Sequence, residues 1–296
     1  MTRVLLFGSS GFIGGPVRAA MAADPRVTEL ICPGRDRHDL VGGSVADLVA
    51  LVRETAPDAV VNCAGRLSGT GAELMLGNAV VTAKLIEAVA AAAPLARLVR
   101  LGSAGEYGPV AFGHAVGEDE PTAPVSDYGI SHLAATQLLR LAAESGRVDG
   151  VVLRVFNPIG PGCGEENLLG RAAARLRAAM AAGADQIVLG PLTAHRDFVD
   201  TRDVATAVLA AALAPAVGQR VLNVGSGRAV AARAAVDSLA RAAGFAGTVI
   251  EHGAGSARSA AVDYIRADIG RIGAAIGWTP VHDLDGSTKA IWEQIH

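Results

Sequence analysis

Short apolar runs alternate with amphipathic stretches over the first half of this chain, and the alternation predicts its architecture. Residues 4–7 read as a buried strand, a glycine turn follows, and from Phe12 the apolar positions recur at helical spacing. The same rhythm predicts a helix over 14–23, a strand over 27–32, an amphipathic helix over 47–55 and a strand over 58–65. It continues with a helix over 74–93, a strand over 95–101, a helix over 128–145 and a strand over 150–156. A long loop carrying Glu118-Asp119-Glu120-Pro121 interrupts it. Strands alternating with helices give an α/β fold with a doubly wound parallel sheet. Farther on, 204–213 and 229–243 read as helices with a strand over 221–224 between them. The expected division is a first domain over 1–157, completed by 196–214. A smaller α/β domain takes 158–195 and 215–296.

The first turn carries the first chemistry. In Gly8-Ser9-Ser10-Gly11-Phe12-Ile13-Gly14, the three glycines permit a tight turn, close approach of backbone to a pyrophosphate, and tight helix-on-strand packing. The N–H groups at the helix start then face an anion. The dinucleotide contacts expected from it are Gly8, Ser10, Gly11, Phe12, Ile13 and Gly14, joined by Ala64 and Gly65 at the end of the third strand. Alone, such a glycine spacing is weak, because other tight strand–helix turns share it. At the tip of the second strand an acid would bind the ribose 2′-hydroxyl of NAD, whereas an Arg accommodates a 2′-phosphate. Cys32-Pro33-Gly34-Arg35 offers no acid and one Arg, so NADPH/NADP is expected in preference to NADH.

Composition narrows the classes. Across 296 residues the net charge is −3, with no block of like charges, which argues against a nucleic-acid partner and against a basic membrane patch. No apolar stretch is expected to reach the 18 or so residues of a membrane span, and the chain enters a strand at once, leaving no room for a signal peptide. Cys32, Cys63 and Cys163 are scattered and odd in number, which fits free thiols in a reducing cytoplasm and no metal site.

The glycine turn, Asn62-Cys63-Ala64-Gly65, Ser103 four residues before Tyr107-Gly108, and Tyr128-Gly129-Ile130-Ser131 together resemble the extended short-chain dehydrogenases/reductases. That family includes nucleotide-sugar epimerases, dehydratases and 4-keto-reductases. Arg154-Val155-Phe156-Asn157, Arg196-Asp197-Phe198, Asn223-Val224-Gly225 and Gly277-Trp278-Thr279-Pro280 follow in the family's order, so the likeness spans nearly the whole chain. It is strongest to the reductases of 4-keto-6-deoxyhexose nucleotides. The resemblance implies a Rossmann fold with a smaller C-terminal substrate domain, and a homodimer through the fourth and fifth helices. By the same resemblance Tyr128 is the acid/base, Ser103 bonds the substrate oxygen and Asn78 supports the helix and orders a water.

Two departures stand out. The position four after the tyrosine should be lysine and is His132, which the spacing places on the same helix face as Tyr128. The family's lysine bonds the nicotinamide ribose and lowers the tyrosine pKa. A unit charge at roughly 5 Å with an effective dielectric near 20 is worth about 3 kcal/mol, or about 2 pKa units. A histidine can bond the ribose but is largely neutral near pH 7, so much of that activation is expected to be missing. Reduction needs only a neutral phenol, whereas oxidation needs a tyrosinate, so His132 favours one-way reduction. Second, the dehydratases carry Asp-Glu after the Ser/Thr; here Ala104-Gly105 stand there, which argues against dehydration, and Glu106 reads as structural.

On the substrate side, Asn157 matches the entry to the family's cleft, and Arg196 and Arg258 suit a diphosphate. Arg196 could instead pair with Asp200 or Asp203. Aromatic residues are few and no ring platform is evident. The expectation is an NADPH-dependent ketoreductase of a small molecule. Its substrate would be a nucleotide-linked 4-keto-6-deoxyhexose or an aromatic polyketide ketone of antibiotic biosynthesis. A nucleotide-sugar epimerase and a non-catalytic NADP-binding regulator are the alternatives.

Overall fold

A computed structural model describes residues 2–253 and 262–294. In chain order its first elements are β1 (Thr2–Phe7), α1 (Gly14–Ala23), β2 (Val27–Ile31), α2 (Val45–Thr55) and β3 (Ala59–Asn62). Next come α3 (Gly71–Met75), a π-helical turn (Leu76–Val80), α4 (Val81–Ala92), β4 (Arg97–Ser103), α5 (Asp127–Glu144) and β5 (Asp149–Val155). The remainder holds β6 (Asn157–Ile159), α6 (Leu168–Ala182), β7 (Gln186–Leu189), β8 (His195–Asp200), α7 (Thr201–Leu213) and β9 (Val221–Val224). β10 (Ala229–Ala231), α8 (Ala232–Ala243), β11 (Thr248–Glu251), α9 (Gly270–Ile276) and α10 (Leu284–Gln294) complete it.

The main sheet has six strands in the order β2-β1-β3-β4-β5-β9, all parallel. Period-two alternation in β1 explains the double winding. Val4 and Leu6 enter one core with Val17 and Met21 of α1 and Val204 and Val208 of α7. Leu5 and Phe7 enter the other, with Leu48, Val52, Leu85, Val89 and Leu139. Caps fix the helix starts: Ser44 accepts from the Asp47 N–H, and Thr70 with Glu73 forms a reciprocal capping box.

Three expectations are corrected. The segment 221–224 is not part of the smaller domain's structure: β9 pairs with β5 as the sixth strand of the main sheet, because its fully buried Val-Leu-Asn-Val run covers that edge. The helix expected over 229–243 begins only at Ala232, since 229–231 pair antiparallel with β8. The three helical pieces over Gly71–Ala92 run on as 22 residues, of which the most apolar 18 have a mean hydropathy of 1.5, long and apolar enough by composition to cross a membrane. No Arg, Asp or Pro interrupts that stretch. More than half of that apolar stretch is buried in the fold, against α2 and α5.

Outside the main sheet lie a three-stranded sheet (β10-β8-β6) and the parallel pair β11-β7. A separate core of Leu169, Leu176, Leu189, Val236, Leu239 and Ile291 joins α6, α8 and α10 to them.

Candidate active site

The glycine turn sits where β1 ends. Gly8 has φ +75°, and a Cβ there would fall 2.5 Å from the Ala64 backbone nitrogen; one on Gly14 would fall 1.8 Å from the Gly8 carbonyl oxygen. Both glycines are therefore required by close backbone approach, which leaves a cradle of bare backbone before α1. Ala64 and Gly65 lie beside it, the Ala64 N–H donating to Asn62 Oδ1. At the tip of β2, Arg35 is exposed, whereas Arg37 is paired with Glu54 at 2.7 Å. The turn and Arg35 thus fit a dinucleotide with a 2′-phosphate.

Tyr128 and His132 come together as their spacing predicts. Ser126 caps α5 by accepting from the Gly129 N–H, which starts the helix just before Tyr128. The two rings lie 4.5 Å apart, centroid to centroid. Ser103 closes β4, and its Oγ accepts from the Gly105 N–H at 3.1 Å.

Asn78 lies in the π-helical turn, a distortion that often re-aims a side chain at a functional site. Its Nδ2 donates to Ser131 Oγ at 2.9 Å and to the Arg66 carbonyl at 3.1 Å, and its Oδ1 accepts the Arg66 N–H at 2.8 Å. Ser131 in turn donates to the Tyr128 carbonyl at 2.8 Å. One side chain therefore ties the loop after β3 to the first turn of α5.

Beneath the helix lies a cation that sequence reasoning missed. Arg100 of β4 is buried, and its Nη2 meets His132 Nδ1 at 3.1 Å. Its Nε and Nη1 donate to Thr82 Oγ1 at 3.0 Å and Thr136 Oγ1 at 3.3 Å. Desolvation pushes its pKa down to about 10. Burial, and then the Arg100 charge, hold His132 well below the ordinary histidine range, so the imidazole is neutral. The signal available in the sequence was an Arg in the middle of a strand, flanked by Val99 and Leu101.

Glu106 is structural, as its place one residue late suggested. Fully buried, it accepts the Ser103 N–H through Oε1 and the Arg154 Nε–H through Oε2 at 2.8 Å. Arg154 also lies 4.6 Å over the Tyr107 ring, and the Tyr107 hydroxyl donates to Asn223 Oδ1.

Asn157 donates to the Asp197 carbonyl at 3.2 Å. Arg196 is buried, and desolvation lowers its pKa against the opposing charge of Asp263. Its suggested partners are engaged elsewhere, Asp200 with Arg202 and Asp203 with His282. Arg258 lies outside the described residues. A ring cluster that the sparse aromatic content did not reveal gathers on His195 at the start of β8: Phe112, 75% exposed, lies 5.1 Å from His195 and 4.8 Å from Tyr264.

Comparison with known proteins gives this arrangement a context. The chain is 41% identical over 301 residues to a dTDP-6-deoxy-L-talose 4-dehydrogenase (NAD(P)(+)) of Kitasatospora kifunensis, covering 98% of this chain and 94% of that one. It is 30% identical to a GDP-6-deoxy-D-mannose reductase of Pseudomonas aeruginosa, covering 98% and 97%. Among solved structures it is similar to RMD from Pseudomonas aeruginosa complexed with NADPH, with TM-score 0.87, 28% identity, and 99% and 98% of the two chains covered. Residues 4–225 match the NAD dependent epimerase/dehydratase family, and with a relative 41% identical over nearly its whole length the chain belongs to that family.

Proposed function

We propose that this protein is an NADPH-dependent reductase of a nucleotide-linked 4-keto-6-deoxyhexose. The observation that carries the reading is the end-to-end identity with an enzyme named for oxidation at C4 of a 6-deoxyhexose nucleotide. Ketone reduction is the same chemistry run backwards. A reductase of another 6-deoxyhexose nucleotide aligns over equal length. Arg196, with Asn157 on the same sheet, would take the diphosphate, and the exposed Phe112 ring, packed on His195 at the start of β8, offers a face for the nucleobase or sugar.

Bound NADPH supplies the hydride. Tyr128 supplies a proton to the carbonyl oxygen, and Ser103 donates a hydrogen bond to that same oxygen. Asn78, through Ser131, holds the first turn of α5 so that the Tyr128 hydroxyl stays in register with Ser103. The apolar face of Met75, Leu76 and Val80 beside Ile130, Leu138 and Leu141 is exposed, and a second copy of the chain would cover it.

The test is consumption of NADPH with dTDP- and GDP-4-keto-6-deoxyhexoses, with the product identified by NMR. Stoichiometric conversion to the 4-hydroxy sugar is expected. Turnover of an aromatic polyketide ketone alone would overturn the sugar assignment, release of C4 epimers without net cofactor consumption would make it an epimerase, and tight NADPH binding without turnover would leave a regulator.

A further inference from the structure

Two observations at the base of α5 stand outside the mechanism above. Arg100 is a buried cation whose three contacts are neutral acceptors: Thr82, Thr136 and His132. Among the described residues it makes no ion pair. Glu106, whose charge acts on it, is hydrogen-bonded to Arg154 instead. A cation buried without a counter-ion is costly, so a fold that keeps one has a use for it. The second observation is His132 Nε2, which is buried and has no hydrogen-bond partner.

The chemistry of the guanidinium links the two. Arg has only donors, so at 3.1 Å His132 Nδ1 must accept. A neutral imidazole that accepts at Nδ1 carries its proton at Nε2. The unpartnered atom is therefore a donor, next to the Tyr128 ring and in want of an acceptor.

We propose that Arg100 and His132 act as one unit. Arg100 fixes the Nε2–H tautomer of His132, that N–H donates to a ribose hydroxyl of the bound nicotinamide nucleotide, and Arg100 is the fixed positive charge of the site. Two side chains thus divide the work of a donor and a cation. His132 touches the cofactor, whereas Arg100 acts through it as a positioning residue. The unit rests on the cofactor half of the proposed function and is indifferent to which ketone is reduced. Charged or titratable groups around it are Glu106 beyond β4, Arg154 on β5, and Tyr128 and His132 on α5 itself.

The tests use the full-length protein without sugar substrate, so failure of the sugar assignment leaves them readable. In protein labelled with ¹⁵N-histidine, His132 is expected to show an unprotonated Nδ1 and a protonated Nε2, with the Nε2 resonance shifting when NADPH is added. The opposite tautomer in the wild-type protein would overturn the proposal, and this reading needs no variant to fold. By equilibrium titration, His132→Phe and Arg100→Met should each weaken NADPH about tenfold, and the double variant little more than either. Arg100→Lys should recover most of the loss. In the cofactor-free protein, the tyrosinate absorbance that disappears in Tyr128→Phe should rise at higher pH in Arg100→Met. A folded Arg100→Met with unchanged NADPH affinity and an unchanged Tyr128 titration would refute the unit.

Discussion

Asn78 Nδ2 donates to Ser131 Oγ at 2.9 Å, and Ser131 donates to the Tyr128 carbonyl at 2.8 Å, so a side chain in a π-helical turn fixes where the acid/base helix begins. Replacing Asn78 by Ala removes the partner of the Arg66 N–H and carbonyl and one of the two hydrogen bonds of Ser131. A loss of about 1 kcal/mol in urea unfolding is expected for such part-buried groups. Reductase kcat should fall while KM for the sugar nucleotide changes little, since the damage is to the placement of Tyr128 and not to the substrate cleft.

Arg35 is the exposed cation at the tip of β2, and Arg37 is occupied by Glu54. Arg35→Glu should weaken NADPH by at least about tenfold by replacing a charge-assisted contact to phosphate with repulsion. NADH affinity should hold or improve. Equal loss for both cofactors would place the 2′-phosphate elsewhere.

His132 contributes a pH dependence of known sign. Its folded pKa is depressed, by burial first and then by Arg100, so the folded protein refuses a proton that the unfolded chain accepts near pH 6.5. The contribution is complete above that pH and is lost as pH falls through it, with a slope of up to about 1.4 kcal/mol per pH unit. Denaturant midpoints measured from pH 7 to 5 should fall less steeply in His132→Gln than in the wild type.

The exposed stripe of Ile130, Leu138 and Leu141 lies on α5 beside Met75, Leu76 and Val80. If a second copy covers it, Leu141→Glu buries a charge in that contact and should yield monomers by light scattering while NADPH binding survives. A wild-type protein that is already monomeric would remove the interface.

Much of the site was legible because it is local. Tyr128 and His132 share a helix face through a four-residue step, and Gly14 is demanded by its approach to the Gly8 carbonyl within one turn, although Gly8 itself is also crowded by the remote Ala64 backbone. What escaped was assembled from remote segments. Arg100 is one residue in a strand, and its meaning comes from Thr82, Thr136 and His132 on two other helices. The Phe112–His195–Tyr264 cluster likewise joins three separated stretches that look unremarkable one at a time. The helical run at 71–92 escaped in another way: the apolar stretch reads as too short to reach a membrane span, whereas its three helical pieces run on through the π-helical turn.

The late arrival of β9 sets the timetable on which this enzyme can be born. Until residues 221–224 have been synthesised, β5 is an open parallel edge with unmet hydrogen bonds, and Tyr107 and Glu118 lack the Asn223 groups that later bond them. Contacts this far apart in sequence close slowly, and an exposed edge can recruit a neighbouring chain. A nascent chain stalled before β9 would therefore be the aggregation-prone species, and a chaperone that shields β5 would help it most during that interval.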